Sequence, residues 1–284
     1  EELDLSETEV AGKGLVHLQG LRQLLALSLE GTSVTDADLK HLRGLTQLQD
    51  LELTGTQVTD AGLEHLRAIT ELIHLGLGNT RVKGTGLAHL AGLSELESLY
   101  MFGTPVTDAA LVHLKGLTQL ETLDLCWTEV TDLALGHLKG LTELRGLYLA
   151  EAPLTDAGLK HLEGLRQLRK LSLSGTRITD AGLKHLSRLT LLEDLGLGRT
   201  QVTDAGLKHL TGLRRLAQLD LWGTQVSDIG LDCLAQLTLL EAVDVRDTLI
   251  TQQGVKRLQQ ALPDCWIGTF LPTSTDAVAP GRGR

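Results

Sequence analysis

Leucine recurs along this chain in one arrangement with a period of 24 residues. The pattern reads LxxLxxLxLxxTxVTDAGLxHLxG and stands almost unchanged from Leu45 to Arg67. Its LxL core starts at Leu3, returns at positions 27, 51, 75, 99, 123, 147, 171, 195 and 219, and ends as Val243-Asp244-Val245. Eleven units follow one another without insertion. Self-similarity at such a period is the mark of a solenoid, in which each unit contacts only its neighbours. Alternate residues of a strand point to opposite faces, so LxL predicts a short strand with both leucines on one side. Thr-Asp, as at Thr59-Asp60, Thr107-Asp108 and Thr203-Asp204, predicts a helix N-cap. Leu63 and Leu66 then share one face of a short helix. Gly44, Gly92, Gly116, Gly140, Gly164 and Gly212 fall where that helix ends, as a left-handed C-cap requires. Strand, turn, short helix and turn make one coil, right-handed by the rule for parallel crossovers.

A threonine occupies a fixed slot after LxL from Thr8 to Thr248, broken only at Ala152. A buried hydroxyl there is expected to bond the turning backbone, whose polar groups need partners. The two ends of the array differ. Residues 252–262 carry Val255, Leu258 and Leu262 at helical spacing and predict a longer amphipathic helix. Ile267 then falls in register with Val243, which predicts a closing strand with Trp266 as a lid. Residues 1–267 are thus expected to form the repeat domain, and 268–284 a disordered tail. At the start, Leu3, Leu5, Val10, Leu15 and Leu18 would present an apolar edge without a cap. An upstream segment or self-association through this edge is the expectation, and Glu1 opens in the middle of a unit.

Composition narrows the partners. The chain is 42% hydrophobic but only 2% aromatic, so leucine, and not large rings, builds the core. Its formal charge of −10 argues against nucleic acid and anionic membranes, which need clustered Lys and Arg. No run approaches the length of a membrane-spanning helix. Cys126, Cys233 and Cys265 form no recurring pair, so no disulfide framework or zinc site is predicted and the compartment is left open.

The repeat resembles that of the leucine-rich-repeat family over nearly the whole chain. Its TDAGLxHL half resembles the cysteine-containing class found beside F-boxes and the bacterial GALA class, with Thr where those carry Asn or Cys. The resemblance implies an α/β fold: a right-handed horseshoe solenoid with a parallel concave sheet and short helices on the convex side. It also implies recognition as the function, and in the F-box-like class a substrate-recognition arm of a ubiquitin ligase.

Two ladders of reactive side chains are read as architecture. His17, His41, His65, His89, His113, His137, His161, His185 and His209 repeat one helix position, and a row does not converge on a metal. Asp36, Asp60, Asp108, Asp132, Asp156, Asp180, Asp204 and Asp228 stand at helix starts and are read as caps. Gly76-Leu77-Gly78 and Gly196-Leu197-Gly198 lie in strands and are expected to leave bare sheet. Cys126 is expected to be exposed and unreactive, with no activating base near it in sequence. No catalytic residue, metal or cofactor is predicted.

The informative positions are those that vary: the residue before the first strand leucine, the one between the pair, and the two after it. All five aromatics inside the units, Tyr100, Phe102, Trp127, Tyr148 and Trp222, occupy these concave or rim slots. Four of them fall in the fifth to seventh units. Around them the same slots are acidic, with Glu52, Asp124, Asp194, Asp220 and Asp244 among nine concave acids against Lys170 and Arg246. Exposed aromatics among polar neighbours are what interaction hot spots are made of. The expected function is therefore a non-enzymatic module binding a protein, with a basic surface favoured, on the concave face. Tyr100, Phe102, Trp127 and Tyr148 are its expected anchors, Asp124 and His74 its polar contacts, and Trp222 and Asp220 further members. Carbohydrate is the alternative ligand, since rings flanked by carboxylates stack on sugar faces.

Overall fold

A computed structural model of the chain describes residues 1–10 and 12–269. The expected tail therefore lies, from residue 270 onward, outside the described residues. Each unit contributes one three-residue strand: β1 (Glu2–Asp4), β2 (Ala26–Ser28), β3 (Asp50–Glu52), β4 (His74–Gly76), β5 (Ser98–Tyr100) and β6 (Thr122–Asp124). β7 (Gly146–Tyr148), β8 (Lys170–Ser172), β9 (Asp194–Gly196), β10 (Gln218–Asp220), β11 (Ala242–Asp244) and β12 (Trp266–Gly268) complete the series. All pair in parallel and in chain order, and the register steps by 24 residues, as in Leu51 to Leu75 to Leu99. Ile267 pairs with Val243, so the closing strand falls where the repeat places it. The expected C-terminal helix spans Gln252–Ala261.

The strand and helix leucines of successive units stack into one continuous core, most of them with no exposed surface at all. The threonine slot behaves as its chemistry requires. From Thr8 to Thr248, each hydroxyl donates to the carbonyl three residues earlier at 2.5–2.7 Å. The buried turn backbone thus finds partners inside the coil.

The convex side differs from expectation in detail. Most of its elements are single α-turns such as Asp156–Leu159 or 3₁₀ stretches such as Asp108–Gly116. A coil of 24 residues gives most of its length to strand and connections, which leaves room for a turn or two. The glycines at their ends are not left-handed. Gly116 and Gly140 lie inside 3₁₀ segments, closed by bonds from Leu117 N to Leu114 O and from Leu141 N to Leu138 O, both 2.9 Å.

The aspartate ladder also needs correction. Threonine is the cap: Thr155 Oγ1 accepts from Ala157 N at 3.3 Å. The aspartate that follows reaches forward into the next unit. Asp156 accepts from Thr179 N at 2.8 Å and from its hydroxyl at 2.6 Å. The same clasp runs from Asp36 to Thr59, from Asp108 through successive units to Asp204, and from Asp228 to Thr251. The glycine of TDAG makes room for it, because a Cβ on Gly182 would sit 2.3 Å from Asp156 Oδ1. The fourth unit replaces Thr-Asp by Lys83-Gly84, and there Asp60 takes three backbone amides instead: Lys83 (3.1 Å), Gly84 (2.8 Å) and Gly86 (2.7 Å). The ladder caps across units and so ties each coil to its successor.

Candidate functional site

The site is built on strand alternation and one backbone device. Four positions per unit face the concave side or its rim, and the last of them has a left-handed backbone throughout the array. Gly31, Gly55, Gly103, Gly175 and Gly223 occupy it with φ between 66° and 72°, and Glu7, Asn79, Trp127, Glu151, Arg199 and Asp247 with φ between 51° and 60°. Left-handed backbone costs an L side chain about 1–2 kcal/mol, which glycine avoids. The five glycines of this slot, with Asn79 and Asp247, are a partial sequence signal that Glu7, Trp127, Glu151 and Arg199 dilute. The leucine-based repeat, which runs through it, hides that signal.

Side chains in the rim slot lean toward the C-terminal neighbour, and a glycine there receives them. A Cβ on Gly103 would lie 2.1 Å from Asn79 Oδ1, and one on Gly175 would lie 2.4 Å from the Glu151 carboxyl carbon. Trp127 is followed in this row by Glu151 instead of glycine. Its indole stands clear of the sheet, 63% exposed. A bulky aromatic in a left-handed, solvent-exposed position is a strained choice that packing does not explain.

Around Trp127 the sheet assembles most of the expected residues. Tyr100, Asp124 and Tyr148 stand in register on β5, β6 and β7. Asp124 accepts from Cys126 N at 2.9 Å. Phe102 lies back over Gly78, where a Cβ would be 2.4 Å from its ring. Gly78 is therefore a seat for the phenyl ring and not bare sheet. His74 is exposed on the adjoining β4, in register with Ser98. Burial pushes the Tyr148 phenol above its ordinary range, with Asp194 the largest contributing charge.

Cys126 is buried instead of exposed. Burial, and then the neighbouring Asp124, push its thiol up to about 12, so it has no nucleophilic role at neutral pH.

Trp222 and Asp220 are not part of this patch, since β10 lies three strands beyond β7. Trp222 belongs to a cluster of its own. Its Nε1 donates to Asp247 at 2.7 Å, Arg199 stacks 5.7 Å from its ring centre, and Arg199 pairs with Glu151 at 3.0 Å across Gly175. Asp220 accepts from Trp222 N and from Ser174, which lies two strands away. Trp266 likewise lies on the concave face of the last strand, over Gly268, and remains 54% exposed, so it does not cover the end of the stack.

The histidine ladder is held from the preceding unit: His41 by Gln19 (2.7 Å), His65 by Arg43 (2.6 Å) and His185 by Glu163 (2.6 Å). Partial burial draws His65 and His161 below their ordinary range. Among the described residues no group of three His, Cys, Asp or Glu side chains converges in the manner of metal ligands. No described helix is long and apolar enough to cross a membrane.

Family models for leucine-rich repeats match residues 118–178 and 44–66. Over those residues the coils match leucine-rich repeats. The twelve-stranded sheet is also similar, at 22% identity, to an internalin from Listeria monocytogenes, over 96% of this chain and 87% of that one with a TM-score of 0.68. A leucine-rich-repeat protein of Leptospira interrogans matches at 20% identity over 94% of this chain and 71% of its own, also with a TM-score of 0.68. The ectodomain of the Arabidopsis receptor kinase HAESA, solved with a peptide hormone ligand, matches at 19% identity and a TM-score of 0.66. That match covers 90% of this chain and 44% of the ectodomain. No curated protein matches the sequence.

Proposed function

We propose that this chain is a non-enzymatic recognition module that binds a protein with a basic surface on its concave face. Tyr100, Phe102, Trp127 and Tyr148 are the anchors, and Asp124 and His74 the polar contacts. The observation that carries the reading is Trp127, whose ring is kept off the sheet at a strained position that glycine fills in other units. Strain kept at an exposed aromatic points to a purpose outside the fold. The concave acids favour a partner of opposite charge, steered in by the field of the whole face. The HAESA ectodomain, similar in fold, holds a peptide hormone, which supports a protein-type ligand.

The test uses Trp127→Gly and Tyr148→Ala as baits beside the parent chain in quantitative affinity capture, followed by calorimetry with each purified partner. Glycine relieves the left-handed backbone, so Trp127→Gly keeps or gains about 1 kcal/mol of stability while weakening the partner roughly 30-fold. A partner held equally by all three chains would sink the reading. Glycan-array binding abolished by Tyr148→Ala would move it to carbohydrate.

A further inference from the structure

C-terminal to the aromatic patch the central concave slots carry only small residues, and Gly198, like Gly78, is not bare sheet, because the Asp220 side chain lies over it. Ser172, Ser174, Gly196 and Gly198 hold the four central slots of two adjoining units. They form a trough between Tyr148 on β7 and Asp220 and Trp222 on β10. Three strand spacings put those walls about 14 Å apart between backbones. Once the wall side chains are counted, the gap is narrower than the ~10–12 Å diameter of a helix and suits one extended chain.

Two carboxylates face this trough. Asp220 lies over Gly198, where a Cβ would be 2.5 Å from its Oδ2, and accepts from Ser174 at 3.3 Å. Asp194 stands at the strand-entry edge, half-buried, its backbone amide donating to Arg169 O at 2.9 Å. Burial raises both above the ordinary carboxylate range. Asp194 also borders a groove of about 560 Å³ lined by Glu193, Glu241, Lys170, Arg215 and the exposed Leu239. Of the nearby cations, Arg199 pairs with Glu151, Arg246 with Asp244 and Arg169 with Glu193, while Lys170 and Arg215 line the groove beside Asp194. Lys170, beside Asp194 on the neighbouring strand, offsets only part of the charge. Half-buried carboxylates over a low-dielectric floor gain more from an added cation than exposed ones do.

Resting on the concave-face reading above, we infer that the partner contributes an extended segment lying along the arc. An apolar residue of the segment sits on Phe102 and Trp127, and an arginine or lysine about four to six residues away enters the trough against Asp194 and Asp220. The spacing follows from three to four strand steps of about 4.8 Å, divided by about 3.3 Å per extended residue.

The probe is a random dodecapeptide library displayed on phage, selected on the full chain and counter-selected on the Trp127→Ala, Asp194→Asn, Asp220→Asn triple variant. Enriched peptides are then synthesised and measured by fluorescence anisotropy. The expected winners pair a large apolar residue with Arg or Lys four to six positions away. The double variant Asp194→Asn, Asp220→Asn should weaken them about tenfold or more, and higher salt should weaken them too, a readout that needs no mutation. Asparagine keeps the shape of aspartate, and circular dichroism confirms the fold. Winners without a basic residue, binding indifferent to salt and to both asparagines, or no enrichment over the triple variant would each overturn the inference. Peptides lost with Trp127→Ala but indifferent to Asp194 and Asp220 would overturn it while leaving the concave-face reading intact. Binding indifferent to Trp127 as well would remove both.

Discussion

Replacing Asp60 by alanine removes an acceptor from three backbone amides of the next coil: Lys83, Gly84 and Gly86. The Lys83 amide is exposed and turns to water, whereas those of Gly84 and Gly86 are partly buried. A hydrogen bond to a charged group contributes about 1.5–3 kcal/mol, and an amide left without a partner forfeits most of that. Two such amides, discounted for partial solvent access, put the loss at about 3–4 kcal/mol. Asp156→Ala is the reference. It strands one partly buried amide, while the Thr179 hydroxyl rotates to a new partner, so its loss is about 2 kcal/mol. Asp60→Asn keeps Oδ1, the atom that serves both glycine amides, and should cost only about 1 kcal/mol. Urea unfolding followed by circular dichroism measures all three. Hydrogen exchange at Gly84 and Gly86 shows whether the damage is local, as expected where each coil contacts only its neighbours. If Asp60→Ala lies within about 0.5 kcal/mol of the parent chain, or costs less than Asp156→Ala, the account of the ladder as a clasp between coils is wrong.

Two further outcomes follow from the concave face. In the native chain Cys126 should resist a thiol-exchange reagent at about pH 8 and react at the ordinary rate once unfolded, because burial holds its thiol near 12; rapid native labelling mapped to Cys126 by peptide mass spectrometry would contradict this. Asp194 has its folded pKa raised above 3.8 by burial, so its favourable, protonated form is fully present only below the ordinary carboxylate range and is lost as pH rises through the folded value. Asp194→Asn should therefore raise the urea midpoint at about pH 7, with the advantage fading toward about pH 3; an advantage that does not change with pH would assign the gain to packing.

Much of this protein was legible in its period. A strict 24-residue repeat with leucines two apart admits one strand register, because a slip by one residue would turn every leucine to solvent. The threonine hydroxyls, the closing strand at Ile267 and the long final helix followed from the same pattern. The in-register placement of Tyr100, Asp124 and Tyr148 was legible too, since the alternation determines which face each of them takes.

What tertiary structure decided lies between coils. Whether Asp156 caps its own turn or reaches Thr179 depends on a neighbour 23 residues away. Whether Gly78 is open or seats Phe102, and whether Cys126 is exposed or covered, depends on how one unit's side chains lean over the next. The left-handed rim belongs here as well, because the sign of φ leaves no trace in a pattern of apolar and polar positions, and six of its eleven occupants are not glycine. Hydrophobic spacing records which way a residue faces, since burial is decided one residue at a time. It does not record what that residue meets, because that is decided by the stacking of a different unit against it.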